Sequence, residues 1–228
     1  GSHGRTLEEE ASLCIALLTG YNATIYNHGD KEDKIQSVLN RSWDLLDTLP
    51  VSLLKCRLLV ACYAEVFDEE LAAEAFGAAS AYLMVGGTTS AVQSMILSVV
   101  KAGDKIILPR NVHKSVINAL VLCGGIPIYV NPEMNQRLGI SLGMQVEKVK
   151  QAIEDNPDAV AVFVNNPTYY GICSDIKTIV QLAHARGMKV LADEAHGTHL
   201  YFGKNLPISA MAAGADMAAV SMHKSGGS

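Results

Sequence analysis

Hydrophobic positions are spaced in two different ways along this chain. Between residues 4 and about 66 they recur at three- and four-residue intervals. Leu13, Leu17 and Leu18 come first, then Ile35, Val38, Leu39, Leu45 and Leu46, then Leu53, Leu58, Leu59 and Tyr63. That period draws one apolar stripe along each of a few helices. Thr6 and Glu9 have capping-box spacing, and Glu8, Glu9 and Glu10 load the first turn with acid. A polar turn, Asn27-His28-Gly29-Asp30, separates the first two helices, and the second ends before Pro50. The pattern predicts a helical hairpin or three-helix unit, a scaffold or docking element with Trp43 in its core and His28 in a turn. It contains no catalytic constellation.

From about Glu69 the period changes. An acidic, alanine-rich helix over 68–75 leads into strand and helix alternation. Apolar runs at 81–85 (AYLMV), 105–108 (KIIL), 126–130 (IPIYV), 159–164 (AVAVFV), 189–192 (KVLA) and 218–221 read as strands. Helical periods fill 90–100, 114–122, 145–155 and 175–186. Continuous apolar strands alternating with helices predict an α/β fold, a largely parallel sheet covered by helices on both faces.

Such sheets bind ligands at the carboxyl ends of their strands. Gly86-Gly87-Thr88-Thr89-Ser90 follows the first predicted strand, and its glycines and helix-start N–H groups suit a phosphate. Arg110-Asn111-Val112-His113-Lys114-Ser115 follows the second. Asn165-Asn166-Pro167-Thr168-Tyr169-Tyr170-Gly171, Asp193-Glu194-Ala195-His196-Gly197 and Ser221-Met222-His223-Lys224 follow three more. Polar and titratable residues thus converge on one sheet edge from five strand ends. No GxGxxG and no P-loop lysine signature is present, which disfavours dinucleotides and ATP. Asp193, His196 and His223 lack the helical spacing of a hydrolytic zinc site, so no metal is expected.

Composition narrows the class further. With 228 residues, 49% hydrophobic and 18% charged, the chain can bury a substantial core and is neither disordered nor a disulfide scaffold. A net charge of −5 without a basic block argues against nucleic acid as a partner. Cysteines at 14, 56, 62, 123 and 173 are scattered and read as buried thiols of a reducing compartment. No run reaches membrane-spanning length and no secretory signal is visible, so a cytoplasmic location is expected. Gly1-Ser2-His3 reads as a tag remnant, and the stop at Gly226-Gly227-Ser228 does not resemble a domain end.

From about Leu71 to Ser228 the sequence resembles the fold-type-I pyridoxal-phosphate enzymes, specifically the bacterial ornithine/lysine/arginine decarboxylase family. The stretches that carry the resemblance are FGAASAYLMVGGTTSAVQSMI, GDKIILPRNVHKSVINALVLCGGIPIYV, VNNPTYYGICSDI, VLADEAHGTHLYF and SMHKS. RNVHKS, DEAHG and SxHK in that order are far more specific together than singly. The resemblance implies pyridoxal 5'-phosphate as cofactor, with Lys224 forming the Schiff base from a deprotonated amine. It implies that Asp193 pairs with the pyridinium nitrogen, that His113 stacks over the ring and that small Ala195 packs beneath it. Thr88, Thr89, Ser90 and Ser221 would hold the phosphate. Thr168, His196 and His223 would border the cofactor. Arg110 and Tyr170 are either substrate contacts or structural residues.

The implied reaction is decarboxylation of lysine, ornithine or arginine, a step toward polyamine biosynthesis, in a homodimer or larger homo-oligomer. Residues 4–66 depart from the family's usual Pro/Gly-rich opening and are read as a helical segment that is either a fused unrelated unit or a divergent replacement of that opening. Residues 67–228 are expected to be a large cofactor domain truncated at its C-terminus, without the small domain that completes the substrate pocket. Two other readings stay open. One is an aminotransferase or carbon–sulfur lyase of the same fold. The other is a non-catalytic truncated or chimeric α/β fragment.

Overall fold

The computed structural model describes residues 6–14, 28–50, 69–84 and 86–225, with backbone only at 28–35, 69–71 and 225. Two units divide the chain, Gly1–Glu69 and Glu70–Ser228. In the first, residues 7–14 are helical and the capping box forms reciprocally. The Thr6 N–H donates to Glu9 Oε2 at 2.9 Å and the Glu9 N–H to Thr6 Oγ1 at 3.2 Å. Helix α1 (His28–Thr48) supplies Leu39, Leu45 and Leu46 to a core shared with Ala11, Cys14 and Leu49. Arg41 clamps Glu10 through two bonds of 2.7 Å.

Two expectations change in this unit. Helix α1 already begins at His28, so Gly29 and Asp30 belong to its first turn rather than to a separating turn. An acid there suits the positive end of the helix dipole. Trp43 is 37% exposed, because the centre of the buried stripe falls on Ser42, whose hydroxyl donates to the Val38 carbonyl at 2.7 Å. The predicted helix over 53–63 lies outside the described residues.

In the second unit, the apolar runs become a five-stranded parallel sheet. It is built from β1 (Lys105–Pro109), β2 (Ile126–Val130), β5 (Ala159–Asn165), β6 (Lys189–Glu194) and β7 (Met217–Val220), in the order β2-β1-β5-β6-β7. A short antiparallel hairpin, β3 (Met134–Asn135) with β4 (Ile140–Ser141), stands apart from it. Side-chain alternation sorts the strands' residues between two cores. Ile107, Val162, Val164, Val190 and Ala192 pack against α5 (Val146–Asp155) and α6 (Ile176–His184). Ile106, Leu108, Ala161, Phe163 and Leu191 pack on the other face against α3 (Gly87–Val99) and α4 (Lys114–Cys123). The result is helices on both faces of a parallel sheet, with α2 (Glu69–Phe76) leading into it.

Residues 81–84 are not a strand, contrary to the apolar-run reading. Tyr82 is 73% exposed and Leu83 42%, so the run has neither ladder partner nor core face. The thiols are also less uniformly buried than expected. Cys14 is buried, whereas Cys123 and Cys173 are half-buried; all three are free.

At the end of the sheet away from the strand carboxyl termini, Asp216 ties β6 to β7. Its carboxylate accepts from Lys189 Nζ, His184 Nε2 and the Val190 N–H, each at 2.8 Å. Partial burial raises its proton affinity, but the Lys189, Val190 and His184 donors outweigh this and hold the carboxyl below its usual range. A depressed carboxyl pKa adds stability that is present above the unfolded value and is lost as pH falls through the folded one. Asp216→Asn should therefore cost about 1–2 kcal/mol near neutral pH. It should also flatten the acid limb of the stability profile, which urea titrations across pH would show.

Candidate active site

The strand order places a switch point between β1 and β5. The chain steps outward from β1 to β2, then returns past β1 to lay β5 on its other side. Loops at the carboxyl ends of β1 and β5 diverge there and leave a crevice. A cleft of about 560 Å³ occupies this edge. Asn165 Nδ2 bridges the two strand ends by donating to the Asn111 carbonyl at 3.2 Å. Asn165 also pairs in register with Asp193, and Asp193 with Ala219, so the last residue of β5 stands beside the penultimate residue of β6.

Nine of the residues singled out from the sequence line this cleft: Thr88, Thr89, His113, Thr168, Asp193, Ala195, His196, His223 and Lys224. Ser90 and Ser221 stand behind the lining. Ser221 is 3% exposed, with its hydroxyl 3.1 Å from His223 Nδ1. Ser90 packs under Gly86, where a β-carbon would come within 2.7 Å of its hydroxyl. Gly86 caps α3 without a side-chain bond, and Gly87 takes φ +70. The backbone at the start of this helix is thus bare toward the cleft.

His113 caps α4. Its Nδ1 accepts from the Ser115 N–H at 3.2 Å and lies 2.9 Å from the Ser115 hydroxyl. Lys224 sits on a short helical turn, α7 (Met222–Ser225), with Nζ 3.4 Å from His196 Nε2. Partial burial and the Lys224 charge hold the His196 imidazole below its usual value, against the pull of Asp193. A neutral His196 can accept a hydrogen bond from the Lys224 ammonium or donate one to its free amine, according to tautomer. Burial pushes the Asp193 carboxyl up. The Ala195 N–H at 3.0 Å and the charges of His113, Lys224 and His196 work the other way.

Adjacent acids on β6 meet opposite surroundings, as side-chain alternation requires. Asp193 lines the cleft, whereas Glu194 is fully buried. Glu194 Oε1 accepts from the Ala210 N–H at 2.9 Å and from Asn166 Nδ2 at 3.3 Å, and Oε2 accepts from the Tyr201 hydroxyl. Burial raises the proton affinity of Glu194, and these three donors oppose it.

Other cleft residues were not singled out as site residues: Asn111, Ser115, Ser141, Asn165, Tyr169 and, except as an open alternative, Tyr170. Ser141 arrives on the hairpin, where its Oγ accepts from Asn111 Nδ2 at 2.8 Å. The Asn135 side chain, which accepts from the Arg137 and Leu138 N–H groups, and Gly139 at φ +64 were the available turn signals. Tyr169 stacks edge-on against Tyr170 and against His196, with ring centroids 5.4 Å apart in both pairs. Among the described residues, no group of three or more His, Cys, Asp or Glu could hold a metal ion. No described helix is long and apolar enough to cross a membrane.

Comparison with known proteins places these observations. Arginine decarboxylase of Halalkalibacterium halodurans is 54% identical over 160 residues, covering 70% of this chain and 33% of that protein. Arginine decarboxylase of Bacillus subtilis is 52% identical with the same coverage. The lysine decarboxylase LdcA of Pseudomonas aeruginosa is 30% identical over 125 residues, half of this chain and 16% of that protein. The chain thus spans about a third of the length of the arginine decarboxylases it matches. Among solved structures, a chain of the SepCysS–SepCysE N-terminal domain complex superposes with a TM-score of 0.58 at 20% identity, covering 69% of this chain and 41% of that one. This likeness is one of fold. Residues 1–64 match the UpxZ family of transcription anti-terminator antagonists. Residues 60–228, most of the chain, match the Orn/Lys/Arg decarboxylase major domain, and the chain belongs to that family of pyridoxal-phosphate-dependent decarboxylases.

Proposed function

We propose that this cleft binds pyridoxal 5'-phosphate and that the whole protein removes the α-carboxylate of a basic amino acid, with arginine and lysine foremost. The observation that carries the reading is the convergence of Lys224, Asp193 and His113 on one cleft at the sheet's carboxyl edge. The residues present fit the cofactor. The bare start of α3 suits a phosphate, with Thr88 and Thr89 in the lining and Ser90 and Ser221 behind it. Ala195 leaves room for a flat ring. Asn165 Oδ1 is buried without a hydrogen-bond partner and can accept from a bound donor.

When bound, pyridoxal phosphate supplies an electron sink for the carbanion left by departing carbon dioxide. The chain's own residues do the rest. Lys224 would hold the cofactor's aldehyde carbon through its amine. Asp193 accepts the ring nitrogen's proton in a hydrogen bond and keeps it there. Burial raises this carboxyl, so a cationic partner favours its ionised form. His113 would cover one face of the ring and Ala195 the other. Thr168, His196 and His223 would border the ring, and His196 would help hold a proton at Lys224 Nζ.

We read residues 4–66 as a separate helical unit and 67–228 as the cofactor domain. The two family matches meeting near residue 60 support that division. A homo-oligomer working in the cytoplasm belongs to the same reading. The test is to titrate the full chain with pyridoxal phosphate and record its visible spectrum. Carbon dioxide release from arginine, lysine and ornithine is then measured. A saturable visible band is expected. No band would remove the cofactor from the reading. A band without carbon dioxide release would favour a cofactor-binding unit that is not catalytic by itself.

A further inference from the structure

Glu194 is a fully buried acid that the chemistry above does not use. It lies one residue beyond Asp193, yet three donors from three separate parts of the chain converge on it. Asn166 comes from the loop after β5, Tyr201 from the 3-10 turn Thr198–Tyr201 and Ala210 from the segment before β7. All three bonds run toward the carboxylate, which suits its ionised, acceptor-only form. An anion enclosed this way is costly to bury unless each donor stays in place, so the node resists rearrangement.

Asn166 transmits that constraint to the cleft. It is fully buried, and while its Nδ2 donates to Glu194, its Oδ1 accepts from the Ser174 N–H at 3.1 Å. Residues 166 and 174 are thereby tied at the base of a loop whose Pro167, Thr168, Tyr169 and Tyr170 line the cleft. The loop is closed within itself. The Thr168 N–H donates to the Ile172 carbonyl at 2.9 Å, and the Ile172 N–H donates to Thr168 Oγ1 at 3.3 Å. Gly197 lets the loop lie on the end of β6, since a β-carbon there would stand 2.8 Å from Pro167 Cδ and 3.2 Å from Glu194 Cβ.

We propose that Glu194 is a positioning residue: acting through Asn166, its buried carboxylate holds the Thr168–Tyr170 wall of the cleft in the geometry that binds the cofactor. The proposal rests on the cofactor reading above, and its test separates the two. In the full chain without cofactor, Glu194→Gln should speed hydrogen exchange at the Thr168, Gly171, Ile172 and Ser174 amides by about ten- to a hundredfold. Amides in the middle of β5 and β6 should keep parental rates. Unchanged loop exchange overturns the anchor.

With pyridoxal phosphate added, the same variant should bind about tenfold or more weakly at a temperature well below its unfolding. The circular dichroism of the bound cofactor's visible band should change as well. Parental affinity and an unaltered band would overturn the positioning role, since a purely structural acid would lower the unfolding temperature and leave both untouched. Asn166→Ala should reproduce the defect, and the double variant should be no worse than either single one. Additive losses would mean that Glu194 does not act through Asn166. If Glu194→Gln does not fold, Tyr201→Phe removes one donor and is judged by the same two readouts. A parent that binds no cofactor sinks the cofactor reading, while the exchange result still decides whether Glu194 anchors the loop.

Discussion

Lys224→Ala is expected to abolish the visible absorption band that pyridoxal phosphate gives with the parent chain and to weaken retention of the cofactor by about a hundredfold or more. Lys224 is exposed and its ammonium lies beside His196, so the substitution removes no core packing and should leave the fold intact. What it removes is the amine that can bond the aldehyde. Contacts from the start of α3, from Asp193 and from His113 remain, which predicts weak, reversible binding rather than none. A second readout needs no cofactor. The Lys224 charge helps hold the His196 imidazole down, so its titration point should rise in Lys224→Ala, as proton NMR of the ring would show. A variant that keeps the parental band would show that another amine carries the aldehyde.

Asp193→Asn is expected to separate function from stability. Cofactor affinity should fall by about a hundredfold, because an amide cannot hold a proton on the ring nitrogen as a carboxylate does. Stability of the cofactor-free chain should move the other way. Burial raises the Asp193 carboxyl in the folded protein, so the folded state binds more protons than the unfolded state across the window between the two values. Its contribution to stability therefore declines as pH rises through that window. Asn escapes this loss. Cofactor-free Asp193→Asn should match or exceed the parent in urea at about pH 7, and the difference should shrink toward about pH 4. A variant that is both less stable at neutral pH and unchanged in cofactor affinity would contradict the assigned role.

The sequence was informative where a residue's own chemistry decides its place. Strands such as AVAVFV are buried on both faces, and a run of apolar residues long enough to cross the sheet has few other solutions. Asp193 lies near the end of β6, and His113 and Lys224 lie four residues beyond β1 and β7, so strand and helix alternation puts all three at one sheet edge. Legibility failed where tertiary partners decide. Residues 81–84 have the composition of a strand but find no neighbour to pair with. Hairpin β3–β4 has two residues per strand, too few for any period to register, and so Ser141 went unseen. Trp43 was placed in the core by its bulk, yet the centre of its helix's buried stripe falls on Ser42. Asn166 and Glu194 are polar residues in a polar run. Nothing local distinguishes the buried pair from Asn165 and Asp193 beside them, since only the sheet's alternation assigns the faces.

That alternation also makes β6 unforgiving of misalignment. Side chains along a strand change faces at every residue, so slipping β6 by one position against β5 would exchange the surroundings of its two acids. Glu194 would then face the cleft with a longer reach than Asp193, and Asp193 would enter the protein interior too short for donors placed to meet Glu194. Adjacent acids on a buried central strand thus act as a proofreading device. The slipped chain would lose the buried carboxylate's three hydrogen bonds together with Asp193's place in the cleft, so alignment errors cost the stability of the fold and the make-up of the site at once.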